Sequence, residues 1–336
     1  MAKRARTAAR REPGVLLMRQ ATSLFEDERV REEFVHALLH GIGREHAIIV
    51  LEDKPELRVL PRQGAASWQP DWVIRIAADF RAAKHPLHEK GAFYSLDFSS
   101  VFSASAMLAI ADPPRRVLDL CASPGGKAIF AFRAFKPEIL ACNETIRKRT
   151  GSLIANLTRC KVVGSQVWST DPSVYARRWP GAFDLVIVDA PCSGQSLMAK
   201  GDPAPGCFLP HMIDMCVGRQ RRITGNAYHC IRPGGHLLYS TCTFTPKENE
   251  KVIAWLLEEY PDLEAVEIPA LAAHRSHLAA FACYRLYPQD GFGAGAFTCL
   301  LRRGGEPPAH RPSLDDLPAS WKYGQEATPL RRMEPR

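Results

Sequence analysis

The sequence has no C-x-x-C pair, no apolar run approaching the roughly 20 residues that cross a bilayer, and no phosphate loop of the G-x-x-x-x-G-K-[ST] type. Each absence excludes something. Ten cysteines scattered without short spacings make neither a disulfide framework nor a zinc site, and a chain of 336 residues does not need staples. Free thiols in a reducing compartment, the cytoplasm, are the expectation, with no metal. The apolar run near the start, Gly14 to Met18, is too short for a signal segment, so no membrane association is expected. The missing phosphate loop argues against a nucleoside triphosphate as ligand.

What is there begins with an ordinary globular composition, 46% apolar and 24% charged, which excludes wholesale disorder. The net charge of +8 favours a polyanionic partner, yet much of the excess lies at the ends. The first eleven residues carry only basic charges, and the last eight hold three Arg against one Glu. Length allows two domains and gives no reason to expect more than a monomer.

Residues 1–13 are expected to be a disordered basic tail, and 14–84 a small N-terminal module that could bind RNA. It would hold an amphipathic helix (Glu26 to Leu39) and apolar runs at Ala47 to Leu51 and Trp72 to Ile76. Residues 303–336 read as a flexible tail. Between them, residues 85–302 form the main domain. From Arg115 onward, short β-branched runs alternate with helical stretches, as in βαβ units on a parallel sheet. Strands are expected at Arg116 to Leu120, Ile139 to Asn143, Val162 to Trp168, Leu185 to Asp189 and His236 to Ser240. Helices fit at Lys127 to Phe135, Ile146 to Thr158, Pro210 to Cys230 and Pro246 to Glu259, with two further strands near Tyr284 and Phe297. The fold class is α/β, a Rossmann-like sheet with helices on both faces plus the small N-terminal α/β module.

The strongest local signal runs from Val117 to Lys127, an apolar strand ending in Asp119 and then a turn, Cys121-Ala122-Ser123-Pro124-Gly125-Gly126-Lys127, that opens a helix. A glycine-rich turn there lets backbone approach a ligand at the carboxyl edge of the sheet. Taken alone it is only a turn needing positive φ. The second strand also ends in an acid, Glu144, placed to hold ribose hydroxyls, and the third is followed by Asp171, suited to accept from an adenine amine. Each acid singly is more often a helix cap; three at successive strand ends favour a nucleoside site. Pro124 removes an N–H that a pyrophosphate cradle would use, so a phosphate-free nucleoside such as S-adenosylmethionine fits better.

Strand four breaks after Asp189 into Ala190-Pro191-Cys192-Ser193-Gly194, and strand five runs into Thr241-Cys242-Thr243. One buried Cys at a strand end is usually a small hydrophobe. Two thiols and a carboxylate at adjacent sheet edges suit a specific reaction. Carbon 5 of cytosine is a poor nucleophile until a thiolate adds to carbon 6, an acid stabilises charge on the ring, and a base later removes the carbon 5 proton.

These residues resemble the Sun-type (RsmB/RsmF-like) RNA cytosine-5 methyltransferases over about Gly91 to Arg302. The shared motifs are G-x-F-Y-x-x-D-x-S-S (Gly91 to Ser100), D-L-C-A-S-P-G-G-K, N-E, D-A-P-C-S-G, R-P-G-G, Y-S-T-C-T-F and E-N-E (Glu248 to Glu250). The resemblance implies that Cys121 to Lys127 bind S-adenosylmethionine, Glu144 takes the ribose, Asp171 the adenine, and Asp189 lines the methyl site and contacts the base. It further implies Cys242 as nucleophile and Cys192 in product release. Possession of both thiols points to RNA rather than DNA. The family's Arg-Lys-Asp or Arg-Arg-His segment and downstream Trp are replaced by Met198-Ala199-Lys200-Gly201-Asp202 and Cys207-Phe208, leaving Lys200 as the expected RNA contact.

The target cytosine must be unstacked to be reached, so a loop or opened RNA is expected, ribosomal RNA before transfer RNA. Two other classes stay open: an RNA-binding or assembly protein that kept the fold without catalysis, and a methyltransferase acting on an amine or a protein side chain.

Overall fold

The computed structural model describes residues 13–41, 45–77, 79–306 and 310–324. The basic start, residues 1–12, lies outside the described residues. Helix α1 (Val15–Leu24) and helix α2 (Glu28–His40) come first, the second capped by Asp27, whose carboxylate accepts the Val30 N–H at 3.0 Å. Strands β1 (His46–Val50), β2 (Val73–Ile76) and β3 (Phe93–Asp97) then form an antiparallel sheet in the order β2-β1-β3.

This arrangement differs from a module over residues 14–84 in two ways. Strand β3, read from sequence as part of the main domain, completes the small sheet by pairing Ser95 with Ile48. Helices α1 and α2 turn their apolar stripe away from that sheet and pack Leu17, Ala21, Leu24 and Phe34 on Ala199, Phe244 and Ala294 of the main domain. The Phe34 and Phe244 rings meet edge to face at 5.1 Å. An amphipathic stripe requires a partner but does not name one.

Helices α3 (Pro86–Glu89) and α4 (Phe98–Ser105) lead into the large sheet. Its units are β4 (Arg116–Asp119), α5 (Gly126–Phe135), β5 (Ile139–Asn143), α6 (Arg147–Arg159), β6 (Ser165–Trp168), α7 (Pro172–Arg178), β7 (Phe183–Asp189), α8 (Pro210–Cys230), β8 (Ile231–Thr241) and α9 (Glu250–Glu259). Strands β9 (Leu263–Ala265), β10 (Tyr284–Leu286), β11 (Ala296–Arg303) and β12 (Trp321–Lys322) complete it. The order is β10-β11-β8-β7-β4-β5-β6-β12, with β9 beside β11. Pairing is parallel from β8 to β6 and antiparallel at both flanks.

The central strands are largely apolar on both faces because helices cover both sides of the sheet. Val117, Leu185 and Ile187 point to the layer containing Phe102, Ile129 and Leu157 of α4, α5 and α6. Leu118, Val186 and Val188 point to the layer containing Tyr175, Ile223 and Ile253 of α7, α8 and α9.

Residues 310–324, read from sequence as part of a flexible tail, pack back against the sheet. Arg311 pairs with the buried Asp184 at 2.9 Å, the Trp179 and Trp168 indoles donate to Asp316 and to the Leu317 carbonyl, and Trp321 is buried beside β6. Pairing with β12 covers an edge strand that would otherwise expose open N–H and C=O groups.

Candidate active site

Strand β4 lies between β5 and β7, so the chain reverses its direction of travel across the sheet at β4 and leaves a crevice at the carboxyl edge. A cleft of about 720 Å³ opens there. One wall comes from the β4 turn and the end of β5: Leu120, Cys121, Ser123, Lys127 and Glu144. The opposite wall comes from Asp189, Cys192, Thr241 and Cys242, and the roof from Ser99, Ser100, Lys200 and Gly295.

The glycine turn is tied down from α6. Asn156 donates to the Pro124 carbonyl at 2.9 Å, Arg149 donates to the Ser123 carbonyl at 2.8 Å, and the Ser123 hydroxyl donates to the Arg149 carbonyl. Gly125 has φ of +117°, which a side chain would strain. Ala122, Pro124, Gly125 and Gly126 thus shape the turn without lining the cleft itself.

Three carboxylates gather at this edge. Glu144 is buried, accepts the Ile146 N–H at 2.8 Å and faces Arg149 at 3.3 Å. Asp189 accepts from the Ser240 hydroxyl at 2.9 Å and pairs through its other oxygen with the Lys127 ammonium at 2.8 Å. Asp119 is fully buried; one oxygen takes the Cys121 N–H, and the other has no protein partner. Burial, reinforced by the charge of Asp189, pushes the Asp119 carboxyl up to about 7. A crowd of carboxylates with an orphaned buried oxygen and no phosphate cradle fits a cationic nucleoside, as S-adenosylmethionine is.

The two thiols meet: Sγ of Cys192 and Sγ of Cys242 are 3.3 Å apart. A hydrogen bond from the Cys192 thiol, with the positive charges of Lys200 and Lys127 nearby, holds the Cys242 thiol below its ordinary value despite burial. Cys192 moves the opposite way, pushed up by its bond to Cys242 and by burial.

Comparison with known proteins names a family. The model of the family described as 16S rRNA methyltransferase RsmB/F matches residues 106–302. The chain belongs to this family. Ribosomal RNA small subunit methyltransferase F of Klebsiella pneumoniae is 34% identical over 254 residues, 74% of this chain and 51% of that one. Its counterpart in Erwinia tasmaniensis is 33% identical over 271 residues, 78% and 55% of the two chains. The chain therefore spans about half the length of the curated relatives it matches. Among solved structures, NSun6 from Pyrococcus horikoshii has a TM-score of 0.71 at 15% identity, covering 87% of this chain and 99% of that one. A methyltransferase homologue from the same organism has a TM-score of 0.67 at 20% identity, covering 87% of this chain and all of that one. Both show the fold: the RsmB/F family is one of S-adenosylmethionine-dependent methyltransferases, and the large sheet is theirs.

Two residues expected in the site sit differently. Asp171 does not line the cleft: it caps α7 by accepting the Ser173 N–H at 3.0 Å and pairs with Arg222 at 2.7 Å, while its neighbours Pro172 and Arg222 line the wall. Lys200 turns inward, four-fifths covered, and pairs with Asp97 at 3.2 Å.

Sequence reasoning missed the residues that hold this RsmB/F site together. Asp97 accepts from the Ser99 N–H and hydroxyl as well as from Lys200, so the small sheet reaches the site through the end of β3. Gln195 accepts the Phe244 N–H and donates to the Cys207 carbonyl, and the Ser196 N–H bonds the Cys242 carbonyl at 3.1 Å. Asn249 accepts from the Thr241 hydroxyl and donates to the Thr243 carbonyl, bracketing Cys242. The E-N-E motif was the available signal, without a role attached to it.

Proposed function

We propose that the chain methylates carbon 5 of a cytosine in RNA, with ribosomal RNA of the small subunit as substrate, through a covalent adduct on Cys242. The observation that carries this reading is the pair of thiols in contact at 3.3 Å in the cleft, beside a carboxylate that is itself held by a lysine. A binding protein has no use for a thiol biased toward thiolate, and an amine methyltransferase needs no nucleophile. The relatives' names support ribosomal RNA; transfer RNA comes next.

S-adenosylmethionine supplies an electrophilic methyl when bound. Cys121 to Lys127 would wrap it, with Lys127 also fixing Asp189. Glu144 would take its ribose hydroxyls, and the strand-three end around Asp171 and Pro172 its adenine. Cys242 adds its sulfur lone pair to carbon 6, the ring's electrons move toward carbon 5, and a proton passed to N3 through Asp189 from the Lys127 ammonium would offset the charge. Once carbon 5 carries the methyl and Cys192 has given up its own proton to solvent, the Cys192 thiolate takes the carbon 5 proton; those electrons re-form the ring double bond and expel the Cys242 thiolate. Lys200, tied to Asp97 inside the cleft, supports the thiolate more directly than it supports a phosphate contact. The small sheet, ending at Asp97 on the roof, would present RNA to the cleft. Ten unpaired cysteines suit a cytoplasmic enzyme.

The test is trapping. RNA containing 5-azacytidine should become cross-linked to the wild-type chain and to Cys192→Ala, whereas Cys242→Ala should neither cross-link nor transfer labelled methyl. Methyl transfer by Cys242→Ala at the wild-type rate would refute the assignment, and RNA binding without any transfer by the wild type would leave a non-catalytic binding protein.

A further inference from the structure

We propose that Glu248 is a positioning residue for the release step, a carboxylate clamp that fixes the turn carrying Cys192 against the strand end carrying Cys242. This rests on the reading of Cys192 as the release base. Glu248 is fully buried, and its two oxygens gather several donors. One oxygen accepts the Ser193 N–H at 2.9 Å and the Gln220 amide at 2.9 Å; the other accepts the Ser193 hydroxyl at 2.5 Å. Gln220, on α8, donates as well to the Pro191 carbonyl at 3.1 Å, so the residues on both sides of Cys192 are held. The Ser193 hydroxyl also meets the Thr243 hydroxyl at 2.8 Å, next to Cys242. Glu248 is held in turn through its own carbonyl, which accepts from Tyr239 of β8 at 2.6 Å.

The clamp acts unequally on the two thiols. Cys242 is bracketed by bonds that do not involve the Glu248 carboxylate: Ser196 to its carbonyl, and Asn249 to Thr241 and Thr243. Three of the bonds to the Glu248 carboxylate come from the residue after Cys192 and from the side chain that holds the residue before it, against one from the Thr243 hydroxyl beside Cys242. Its loss should therefore spare the attack of Cys242 and slow the removal of the carbon 5 proton. Displacement of a proton-transfer group by about 1 Å slows a step by roughly a hundredfold at most.

Removing the carboxylate in Glu248→Ala leaves the Ser193 N–H, the Ser193 hydroxyl and the Gln220 amide without their acceptor. Glu248→Gln retains the clamp: the amide oxygen accepts from Ser193 N–H and Gln220, and the Ser193 hydroxyl turns to accept from the new amide and donate to Thr243.

The experiment uses the full chain, an unmodified 16S rRNA transcript and methyl-labelled S-adenosylmethionine. Covalent RNA-protein adduct and free methylated RNA are followed separately in time. Expected for Glu248→Ala is adduct formation within about threefold of wild type and release slowed at least tenfold, with Glu248→Gln releasing within about threefold of wild type. Release by Glu248→Ala at the wild-type rate overturns the inference, and so does a fall of formation and release by the same factor, which marks general structural damage. If Glu248→Ala does not fold, Ser193→Ala decides: it should accumulate adduct to a smaller extent, and unchanged release overturns the inference. Should the underlying reading fail, Cys192→Ala would release methylated RNA at the wild-type rate and accumulate no adduct, an outcome separate from any result with Glu248.

Discussion

Replacing Arg285 by Met should destabilise the protein far more than an exposed ion pair would suggest. Arg285 on β10 and Glu250 at the start of α9 are each at least 96% buried, and the guanidinium grips the carboxylate with both Nε, at 2.6 Å, and Nη2. Nη1 donates to the Phe244 carbonyl at 2.9 Å, two residues beyond Cys242, and the Phe297 ring lies 5.5 Å below the guanidinium carbon. Methionine fills most of the volume but leaves Glu250 a buried carboxylate with only the Ser276 hydroxyl as donor. Breaking such a pair costs about 3–5 kcal/mol. With an unfolding entropy of about 2.1 cal/mol/K per residue, a chain of 336 residues loses about 1.4 °C of Tm per kcal/mol, so Tm should fall by about 4–7 °C in calorimetry. Adding Glu250→Leu should restore most of the loss, because two apolar groups replace a broken pair. A single variant within 1 kcal/mol of wild type, or a double variant no more stable than the single one, would refute the reasoning.

Lys200→Met should move the pH at which Cys242 reacts half-maximally with iodoacetamide upward, because the neighbouring ammonium stabilises only the thiolate. Mass spectrometry of the Cys242 peptide reads this, and an unmoved profile would assign the low thiol to Cys192 and Lys127 alone. Asp171→Ala should cost about 1 kcal/mol of stability as a lost helix cap and weaken S-adenosylmethionine binding by no more than about threefold, whereas Glu144→Ala should weaken it at least tenfold, both by calorimetric titration. Equal losses of affinity would place both carboxylates on the cofactor.

The central sheet was legible because a strand buried on both faces is mostly apolar, and the runs Val117 to Leu118 and Leu185 to Val188, each ending in or near an acid at the sheet edge, fit that pattern. Helix α8 matches its expected bounds, Pro210 to Cys230, since proline opens it and the strand follows directly. Strand β12 escaped notice for the opposite reason: two residues, Trp321 and Lys322, carry no periodicity, and their place depends on an open edge at β6. Asp171 was ambiguous for a local reason. An acid after a strand is equally a helix cap, and the Pro172 that follows it favours the cap, as Asp171 and Ser173 show.

The site divides the same way. Cys192 and Cys242 could be brought together from sequence because each ends a strand, and ends of adjacent parallel strands share an edge. Their separate roles were implied by the family resemblance alone, since the groups that surround each thiol are neighbours only in space. Ser193 lies 55 residues from Glu248, Gln220 lies 28 residues away, and Arg285 lies 35 from Glu250. In Glu248-Asn249-Glu250, three consecutive residues face three different partners: the Cys192 turn, the backbone around Cys242, and the Arg285 guanidinium. One short loop thereby fixes both thiols to the second, antiparallel half of the sheet. A perturbation anywhere along β10 or α9 should therefore reach the cysteines through this loop before it reaches the cofactor turn, which is anchored separately by Arg149 and Asn156.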